Sequence, residues 1–540
     1  MRTEPTPRRE AQALNSLSVS SKTALTKLTA WIARHPLWLL FGLALAVRIL
    51  PATFRFVIST DEGLFLTLGQ NLAAGLGYTG DGRTLQVDFP PGYPLVAAVI
   101  YGFGGGLELP SKINLLAFGS LLPLPVFWLA RQLDDEKTAF RAGLFTALLP
   151  GLALGQVNFE ASAEQLYSLL LYTGWAALWW GVMRRRALAF GLAGLAVGAA
   201  HLVRWEGLIL GLLGAGVIAL TLRRALLRPT LLFLGGLGLF AVPYGLFLYQ
   251  HTGSFVSPKT TITQLHGAAL DANASDPYAL EKAYEVYEAY LADPTIRPSP
   301  ATENRAALLR RYLGNVLLEL RLWLTSVSLM TIVWLVPAAI GLWVMERKRA
   351  LFLALLFIPL AAIPASVVDP RYFLPALPAG LIFAACGWAW LGERLPTLHL
   401  AERLASRPVP LASILVAATL AVFIAGDLAG PFLYPRPTEY RLAGLTLRGQ
   451  LPEGAHMLAR KRQVAFYAGA TWEWLPFADL EGVLEYADSH TADYLVIDEF
   501  TTPALRPQLA YLLDPANAPP GLKPVYYDET GGVVVYQINP

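Results

Sequence analysis

Two adjacent carboxylates, Asp61 and Glu62, open a polar stretch that follows the first long apolar run of the chain. A third, Asp88, stands shortly before the sequence Pro-Pro-Gly-Tyr-Pro. A carboxylate can take a proton from a hydroxyl group, and several together can supply hard oxygen ligands to a divalent cation. The same acidic pair can instead stabilise a helix N-terminus, with Ser59 or Thr60 as the N-cap. The surrounding sequence has to decide between chemistry and capping.

Arg48, within that first apolar run, favours chemistry. An arginine in an apolar membrane helix costs about 2.5–3.5 kcal/mol on insertion scales, so it usually has an anionic partner. Arg48 stands near the end of the run, where a carboxylate or a lipid phosphate could meet it. An intramembrane cation beside an acidic pair is therefore interpreted as part of a functional site.

The composition places these residues in a helical membrane protein. The chain has 540 residues, 55% of them hydrophobic and 15% charged, and the charged residues cluster between long apolar runs. The first run is too long for the apolar core of a signal peptide, so it predicts an uncleaved transmembrane helix. Cys386 is the single cysteine, which excludes an intramolecular disulfide. The dispersed basic residues argue against nucleic-acid binding.

The apolar runs predict about eleven transmembrane helices, each near the length that a bilayer core of about 30 Å requires. The predicted bounds are 37–55, 112–131, 141–158, 165–183, 187–203, 206–222, 230–249, 323–345, 350–368, 372–391 and 410–427. Lys and Arg follow every second span and are scarce in the alternate connections. By the positive-inside rule, the N-terminus is cytoplasmic, and both Asp61 and the C-terminal region lie outside.

Three parts are predicted: a cytoplasmic tail 1–36, a membrane domain 37–430 with outer loops 56–111 and 250–322, and an extracytoplasmic domain 431–540. In the first outer loop, two short helices near 61–75 and 92–103 are expected to lie on the membrane, because the apolar stretch 93–107 is too short to cross it. The second outer loop has a helical pattern over 276–292. The C-terminal domain is predicted to be α/β, with strands at 456–459 and 494–497, a helix at 480–490, and hairpin strands at 525–528 and 533–538.

The order of these motifs resembles that of the lipid-linked-sugar glycosyltransferases of the GT-C fold. The closest branch contains the protein O-mannosyltransferases and the lipid A aminoarabinose transferases. The resemblance covers roughly 37–430. The residues that carry it are Asp61, Glu62, Gly75, Gly77, Tyr78, Pro90, Pro91, Gly92, Tyr93 and Pro94, together with Glu164-Gln-Leu-Tyr167 and Arg371-Tyr-Phe-Leu-Pro375. Phe89 stands where protein O-mannosyltransferases usually have His, which weakens the expectation of a protein acceptor.

The resemblance implies an inverting enzyme that moves a sugar from a polyprenyl phosphate to a hydroxyl of a lipid, glycan or protein acceptor, outside the plasma membrane. Such an acceptor needs a base, so Asp61 is the catalytic candidate, with Glu62 beside it. The leaving phosphate needs positive charge more than it needs a proton. Candidate phosphate ligands are Arg48, Arg204, Lys259 and Arg371. Candidate acceptor or sugar contacts are Asp88, Tyr93, Glu164 and Tyr372.

Several of these residues have a structural alternative. Glu164 could lie in the first turn of a helix capped by Ser162. Arg204 could be neutralised by Glu206, two residues on, and Lys259 could be an ordinary solvated loop charge. The carboxylates of Asp61 and Glu62 could also bind a Mg²⁺ or Mn²⁺ ion, although nothing in the sequence requires a metal cofactor.

Two other classes of protein compete with this interpretation. A transporter or flippase of lipid-linked glycans would be expected to show internal repeats and paired charges in mid-span, and this chain has no evident repeat. A polymerase or ligase acting on a lipid-linked glycan would favour an Arg/His site in a late loop over an early acidic pair. The C-terminal domain shows no catalytic pattern and is expected to cover the cavity or to select the acceptor.

Overall fold

The computed structural model describes residues 34–155, 162–222, 227–257, 276, 278, 281, 305–325, 332–365, 368–398, 408–433, 437–528 and 532–539. Lys259, almost all of the predicted helix at 276–292 and most of the tail 1–36 lie outside these residues. The described chain consists of a long helical part followed by a C-terminal part that contains a β-sheet.

Helices make up most of the chain before residue 434. Their bounds are Pro36–Thr53, Thr60–Ala73, Gly92–Gly102, Leu109–Leu133, Glu136–Leu148, Pro150–Ala153, Glu164–Arg184, Ala187–Val203, Glu206–Leu222, Leu227–Thr252, Arg305–Thr325, Ile332–Val344, Arg347–Ala365, Pro370–Arg394 and Leu411–Leu433. Leu109–Leu133 contains a π-helical turn, and the segments 355–365 and 370–376 are 3₁₀-helical. A helix is present at each position where a span is predicted.

Two of the predicted spans have different bounds in the structure. The span 141–158 is divided after Leu148, because Leu149 is extended and Pro150 has no N–H to continue the helical hydrogen bonds. Around the predicted span 323–345, the described residues form two helices, Ile332–Val344 and the amphipathic Arg305–Thr325, and most of the second lies in a segment that the sequence had assigned to a polar loop. That helix carries both charged and apolar side chains, so it contains no long apolar run by which it could be recognised in the sequence.

Six of the described helices are long and apolar enough to cross a membrane: Pro36–Thr53, Leu109–Leu133, Leu227–Thr252, Arg347–Ala365, Pro370–Arg394 and Leu411–Leu433. Other apolar helices are shorter, among them Ala187–Val203 and Glu206–Leu222. Gly92–Gly102 has 11 residues. The helix is therefore about 16 Å long, roughly half the thickness of the hydrocarbon core of a bilayer. Such a length is expected of a helix that lies on the membrane surface. The full count of eleven spans and the N-in orientation stay predictions.

The C-terminal part is built on a five-stranded mixed sheet. The strands among the described residues are β1 Thr397–Leu398, β2 Val409–Pro410, β3 His456–Ala459, β4 Thr471–Trp474, β5 Tyr494–Asp498, β6 Leu522–Tyr527 and β7 Val533–Ile538. β1 and β2 form a separate two-stranded ladder, and the order in the large sheet is β4-β3-β5-β7-β6. The pairs β3–β4 and β3–β5 are parallel, whereas β5–β7 and β6–β7 are antiparallel.

Apolar clusters cover both faces of this sheet. The helices Thr438–Leu447 and Gln463–Ala468 pack on one face, and Leu480–Ser489 with the 3₁₀ segment Pro507–Leu513 packs on the other. Two further short elements are Thr502–Leu505 and the 3₁₀ turn Pro515–Asn517. The predicted strands and the predicted helix at 480–490 are present with ends that differ by a few residues. Alternating apolar side chains are a strong signal, which explains this agreement.

Candidate active site

Asp61 and Arg371 form an ion pair between two elements that are 310 residues apart in sequence. Asp61 lies in the first turn of the helix Thr60–Ala73, and its Oδ2 atom is 2.5 Å from the Nη1 atom of Arg371. Arg371 follows Asp369, which caps the 3₁₀ turn 370–376 and lies 3.5 Å from the Arg371 guanidinium. The side chain of Asp61 keeps 34% of its surface exposed. The carboxylate is thus held by a cation and still reaches solvent.

Tyr372 connects this pair with a second arginine. The guanidinium carbon of Arg371 lies 5.2 Å from the centre of the Tyr372 ring, and that of Arg204 lies 5.5 Å from it. Arg204 is also 5.9 Å from the ring of Tyr167. Guanidinium groups at these distances are attracted by the ring's quadrupole. One tyrosine ring therefore lies close to both cations, and the structure brings together four residues proposed from distant motifs: Asp61, Arg204, Arg371 and Tyr372.

Arg204 is itself held by two carboxylates. Its Nη1 atom is 2.5 Å from Glu164 and its Nη2 atom is 2.7 Å from Glu206, so the predicted pairing with Glu206 is present. Burial lowers the pKa of Arg204, but the carboxylates of Glu206 and Glu164 raise it by more than burial lowers it. The pKa therefore lies above its ordinary value. Arg204 stays charged. The other oxygen of Glu164 accepts from the backbone N–H of Ser162, and Ala163 rather than Ser162 is the N-cap.

Glu62 differs sharply from its neighbour Asp61, because it is completely buried. One of its oxygens accepts from the hydroxyls of Tyr93 and Ser111, both at 2.9 Å, and the other accepts from the backbone N–H of Ser59 at 3.1 Å. The hydroxyl oxygen of Ser59 in turn accepts from the backbone N–H of Glu62, which completes a capping box. The capping alternative therefore holds for Glu62, whose carboxylate fixes the start of the helix that carries Asp61.

Tyr93 belongs to the same buried group. Burial and the neighbouring carboxylate of Glu62 raise the pKa of Tyr93 well above its ordinary value, so its hydroxyl remains a donor. The ring packs edge-on against Phe65 at a centroid distance of 5.9 Å. Tyr93 is 1% exposed, which leaves its side chain without an open face for a sugar in this conformation. The geometry therefore favours a role for Tyr93 in positioning the loop.

The Pro-Pro-Gly-Tyr-Pro motif packs against the end of a predicted membrane helix. A Cβ atom on Gly92 would lie 2.5 Å from the backbone oxygen of Leu202, so only glycine permits this approach. Leu202 lies two residues before Arg204. The motif thus sets the distance between the short helix Gly92–Gly102 and the connection that carries Arg204.

Asp88 is buried, and its contacts are made with other residues than the Asp61–Arg371 pair. Its carboxylate accepts from Gln86 at 3.3 Å, and its backbone oxygen accepts from the hydroxyl of Ser257 at 2.8 Å. Ser257 ends the described part of the chain that follows Leu227–Thr252. These contacts join the first outer loop to the second. Asp88 remains a proposed sugar contact, with a second function in holding the two loops together.

Arg48 has partners other than a phosphate. It is fully buried, and it donates to the backbone oxygens of Ala44 at 2.8 Å, Ala147 at 3.0 Å and Leu152 at 3.0 Å. A helix end leaves its last carbonyl groups without helical partners, and the division at Pro150 creates such an end inside the protein. Arg48 satisfies these carbonyl groups. The buried charge of Arg48 is therefore compensated by backbone oxygens and by the carboxylate of Asp427, which interacts with it electrostatically.

The possible metal site was tested against these contacts. Among the residues that the structure describes, no three or more His, Cys, Asp or Glu side chains are grouped as metal ligands would be. Asp61 faces a guanidinium, whereas Glu62 accepts from two hydroxyls and an amide. Two carboxylates with such separate partners do not form a joint ligand set.

The C-terminal part was expected to lie near the site, but the sequence analysis did not name the residues by which it reaches it. The Nζ atom of Lys461 donates to the hydroxyl of Thr60 at 3.0 Å, one residue before Asp61. Gln463 donates to the same hydroxyl at 3.3 Å. The signal was available as the basic run Arg460-Lys461-Arg462, which directly follows the strand β3. Nothing in the sequence indicates that this run would meet a loop 400 residues earlier.

The sequence matches no known protein-family description and no curated protein. Solved structures do match. ArnT from Cupriavidus metallidurans, bound to undecaprenyl phosphate, is 17% identical, and the match covers 94% of this chain and 98% of that chain with a TM-score of 0.57. The oligosaccharyltransferase AglB from Archaeoglobus fulgidus, in complex with an inhibitory peptide and a dolichol-phosphate, is 15% identical, with coverages of 94% and 75% and a TM-score of 0.56.

A third match is the arabinofuranosyltransferase AftD from Mycobacteria, at 14% identity and a TM-score of 0.51, covering 94% of this chain and 40% of that chain. Another structure of the Archaeoglobus protein is a complex with zinc and sulfate. At such identities the likeness establishes the fold alone. The chain therefore has the GT-C fold that the sequence motifs predicted.

Proposed function

We propose that this protein is a multi-pass membrane glycosyltransferase that moves a sugar from a polyprenyl phosphate to an acceptor hydroxyl. The observation that carries the proposal is the Asp61–Arg371 ion pair, which puts a partly exposed carboxylate beside a cation. Proton removal and phosphate stabilisation are the two tasks that this transfer needs. The undecaprenyl phosphate in ArnT and the dolichol-phosphate in AglB support the choice of donor class.

The reaction is a single displacement at the anomeric carbon. Asp61 takes the proton of the acceptor hydroxyl as its oxygen forms a bond to that carbon. The bond between the same carbon and the phosphate oxygen breaks, and the electron pair leaves with the polyprenyl phosphate. Attack opposite the leaving group inverts the configuration, and no covalent enzyme intermediate forms. This step balances without a cofactor.

Arg371 is the proposed ligand of the donor phosphate. Its guanidinium is shared by Asp61 and Asp369, so an arriving phosphate competes with two carboxylates for it. A phosphate accepts bidentate bonds from arginine and is the stronger competitor because it carries more charge. Donor binding therefore turns Arg371 towards the phosphate and leaves Asp61 facing the acceptor hydroxyl. The base becomes available when the donor is in place.

The second arginine, Arg204, also lies close to the ring of Tyr372. Arg204 adds positive charge near the phosphate, although two carboxylates already share its guanidinium. We also propose that Glu164 and Tyr372 contact hydroxyls of the sugar or acceptor. The carboxylate of Glu164 is oriented by its bonds from Ser162 and Arg204. Lys259 stays a candidate phosphate ligand from the second outer loop. Glu62 is proposed to position Asp61.

We propose that this chemistry takes place outside the plasma membrane, as the sequence-based topology predicts. The basic residues of every second connection put the Asp61 loop and the C-terminal part on the outer side by the positive-inside rule. Polyprenyl phosphates hold their sugars at the membrane surface, which is where the short helices Thr60–Ala73 and Gly92–Gly102 are proposed to lie.

The test supplies the purified, lipid-reconstituted protein with a panel of radiolabelled polyprenyl-phosphate hexoses and pentoses and with candidate lipid, glycan and peptide acceptors. Transfer from at least one polyprenyl-phosphate donor is expected, and NMR of the product should show an inverted anomeric configuration. Nucleotide sugars serve as the matched control, because they present a diphosphate leaving group without a lipid. Transfer from nucleotide sugars alone would contradict the donor class, and a retained configuration would contradict the single displacement.

A further inference from the structure

We propose that the C-terminal part is a component of the active site, in which Lys461 is a positioning residue for Asp61. This inference rests on the proposed function, because it assigns Lys461 a part in the same transfer reaction. It goes further in giving a specific task to the sheet-containing region 437–539. Lys461 acts through Thr60 on the first turn of the helix that carries the base.

The contact between the two parts is made at the N-terminus of that helix. Lys461 and Gln463 both donate to the Thr60 hydroxyl, at 3.0 and 3.3 Å. Gln463 also approaches the backbone oxygen of Ile58 at 3.5 Å. Thr60 is the first residue of the helix and Asp61 the second, so a rotation of Thr60 would turn the carboxylate with it. The orientation of the Asp61 carboxylate therefore depends on the contact with the C-terminal part.

The backbone of the helix also depends on this docking. A Cβ atom on Gly63 would lie 3.0 Å from the Cβ atom of Arg462 and 3.8 Å from its carbonyl carbon. Arg462 is itself fixed, because its guanidinium lies 3.4 Å from the centre of the Trp472 ring. Cation–π stacking at such a distance is favourable. The glycine lets the basic loop lie directly on the helix, two residues after the base.

An apolar contact makes the docking rigid. Phe466 and Tyr467 of the helix Gln463–Ala468 are buried among side chains of the first outer loop and its flanking helices, namely Ala52, Phe56, Val57, Ile58, Leu66, Ala97 and Leu115. The Tyr467 hydroxyl accepts from the N–H of Ile58 at 3.2 Å and donates to Glu108 at 3.0 Å. Buried apolar surface and satisfied polar groups together hold two units in one arrangement.

The same basic loop reaches the second outer loop. Arg460 makes a bidentate pair with Glu281, at 2.9 and 2.7 Å, and Arg506 lies 2.6 Å from the same carboxylate. Glu281 is 1% exposed, so its charge depends on both arginines. Two consecutive residues therefore contact different outer loops: Arg460 binds Glu281, and Lys461 binds Thr60. A movement of either outer loop is transmitted to the base by way of the C-terminal part.

The experiment compares Lys461→Met, Lys461→Arg and Thr60→Val in the full-length, reconstituted protein. Lys461→Met should lower kcat about tenfold with the donor KM changed less than twofold, because a positioning residue does not touch the donor. Lys461→Arg, which keeps a donor to Thr60, should return kcat to within threefold of wild type. Lys461→Met combined with Thr60→Val should cost no more than Thr60→Val alone, since both act through one hydrogen bond.

Lys523→Met is the matched control, because Lys523 is exposed on β6 of the same sheet and should leave kcat unchanged. Gly63→Ala tests the docking from the other side, with Gly216→Ala as its control in a helix where a Cβ meets open space. Hydrogen exchange of the amides in 60–66 should quicken in Lys461→Met and Gly63→Ala. This readout needs no substrate.

Three results would overturn the inference: an unchanged kcat in Lys461→Met, additive losses in the double variant, or a rise in donor KM with kcat preserved. The last would make Lys461 a phosphate ligand instead. Absence of transfer by the wild-type protein with every donor would contradict the proposed function and leave the docking contact to be judged by hydrogen exchange. The two failures are therefore distinguishable.

Discussion

The two adjacent carboxylates Asp61 and Glu62 lie in opposite environments. Asp61 is partly exposed and faces Arg371, whereas Glu62 is fully buried and accepts from Ser59, Tyr93 and Ser111. Consecutive residues of a helix point about 100° apart, so one side chain of the first turn can reach solvent while its neighbour points into the protein. An acidic pair in a motif can therefore combine one reacting group with one structural group.

The comparison explains why the pair is acidic at both positions. The buried carboxylate fixes the helix start by its capping box and ties it to the Pro-Pro-Gly-Tyr-Pro segment through Tyr93. The exposed carboxylate can be reoriented by a change of partner, because Arg371 can move to a phosphate. Substitutions at the two positions should accordingly separate loss of catalysis from loss of stability.

Asp61→Asn should have the largest effect, a fall in transfer rate of about 10²–10⁴-fold, because an amide cannot act as the base. Its Tm should stay within a few degrees of wild type, since the amide oxygen can still accept from Arg371. Initial rates with a radiolabelled donor and thermal unfolding in the same detergent measure both quantities. Asp488→Asn, an exposed residue of the C-terminal part, is the control.

Arg371→Met should lower the transfer rate by about 10²–10³-fold, the range found when a group that stabilises a developing negative charge is removed. Affinity for polyprenyl phosphate should weaken as well, which distinguishes this variant from Asp61→Asn. A lipid-binding titration measures the affinity. Arg394→Met removes an arginine that is half exposed at the other end of the same helix and should change neither quantity. Wild-type affinity in Arg371→Met would remove Arg371 as the phosphate ligand.

Glu62→Gln should act on stability. It replaces a buried carboxylate that accepts three hydrogen bonds, and a mismatched donor in that place costs about 1–3 kcal/mol. The expected result is a lower Tm with the transfer rate retained at temperatures where the protein stays folded. Glu393→Gln, at an exposed site, is the matched control. A loss of rate as large as that of Asp61→Asn, at unchanged Tm, would mean that Glu62 takes part in the chemistry.

The smallest effect is expected from the pH dependence of the domain contact at Glu108. Burial raises the pKa of Glu108, but bonds from Arg441 and Lys112 lower it more, and the pKa lies below its usual range. The resulting stabilisation is full above the unfolded pKa of about 4.3 and is lost as the pH falls through the folded value. Glu108→Gln should abolish this acid-dependent part of the Tm. Tm profiles of both proteins that remain parallel below pH 4 would contradict it.

The general architecture could be predicted from the sequence because it depends on strong local patterns. Long apolar runs and alternating strands gave the positions of most helices and of the sheet, and the motif order indicated the GT-C fold. The misplaced elements have weak local signals. Arg305–Thr325 is amphipathic, and the division at Pro150 interrupts an otherwise apolar run.

The site was predictable only in part, because its contacts join distant segments. Asp61, Arg371, Tyr372 and Arg204 could be named from motifs, yet their arrangement around one ring is a property of the fold. Arg48 was expected to meet an anion, and the buried carboxylate of Asp427 does act on it, but the backbone oxygens of Ala147 and Leu152 on either side of Pro150 were not considered. The meeting of Lys461 and Thr60 has no local signature at all.

The central claim, that Asp61 is the base and Arg371 holds the phosphate, is tested most directly by a single-turnover measurement on Asp61→Asn. The variant is loaded with a polyprenyl-phosphate sugar, its donor affinity is determined, and acceptor is then added. The account predicts wild-type donor affinity and transfer at least 100-fold slower. Transfer at the wild-type rate from the bound donor would contradict it.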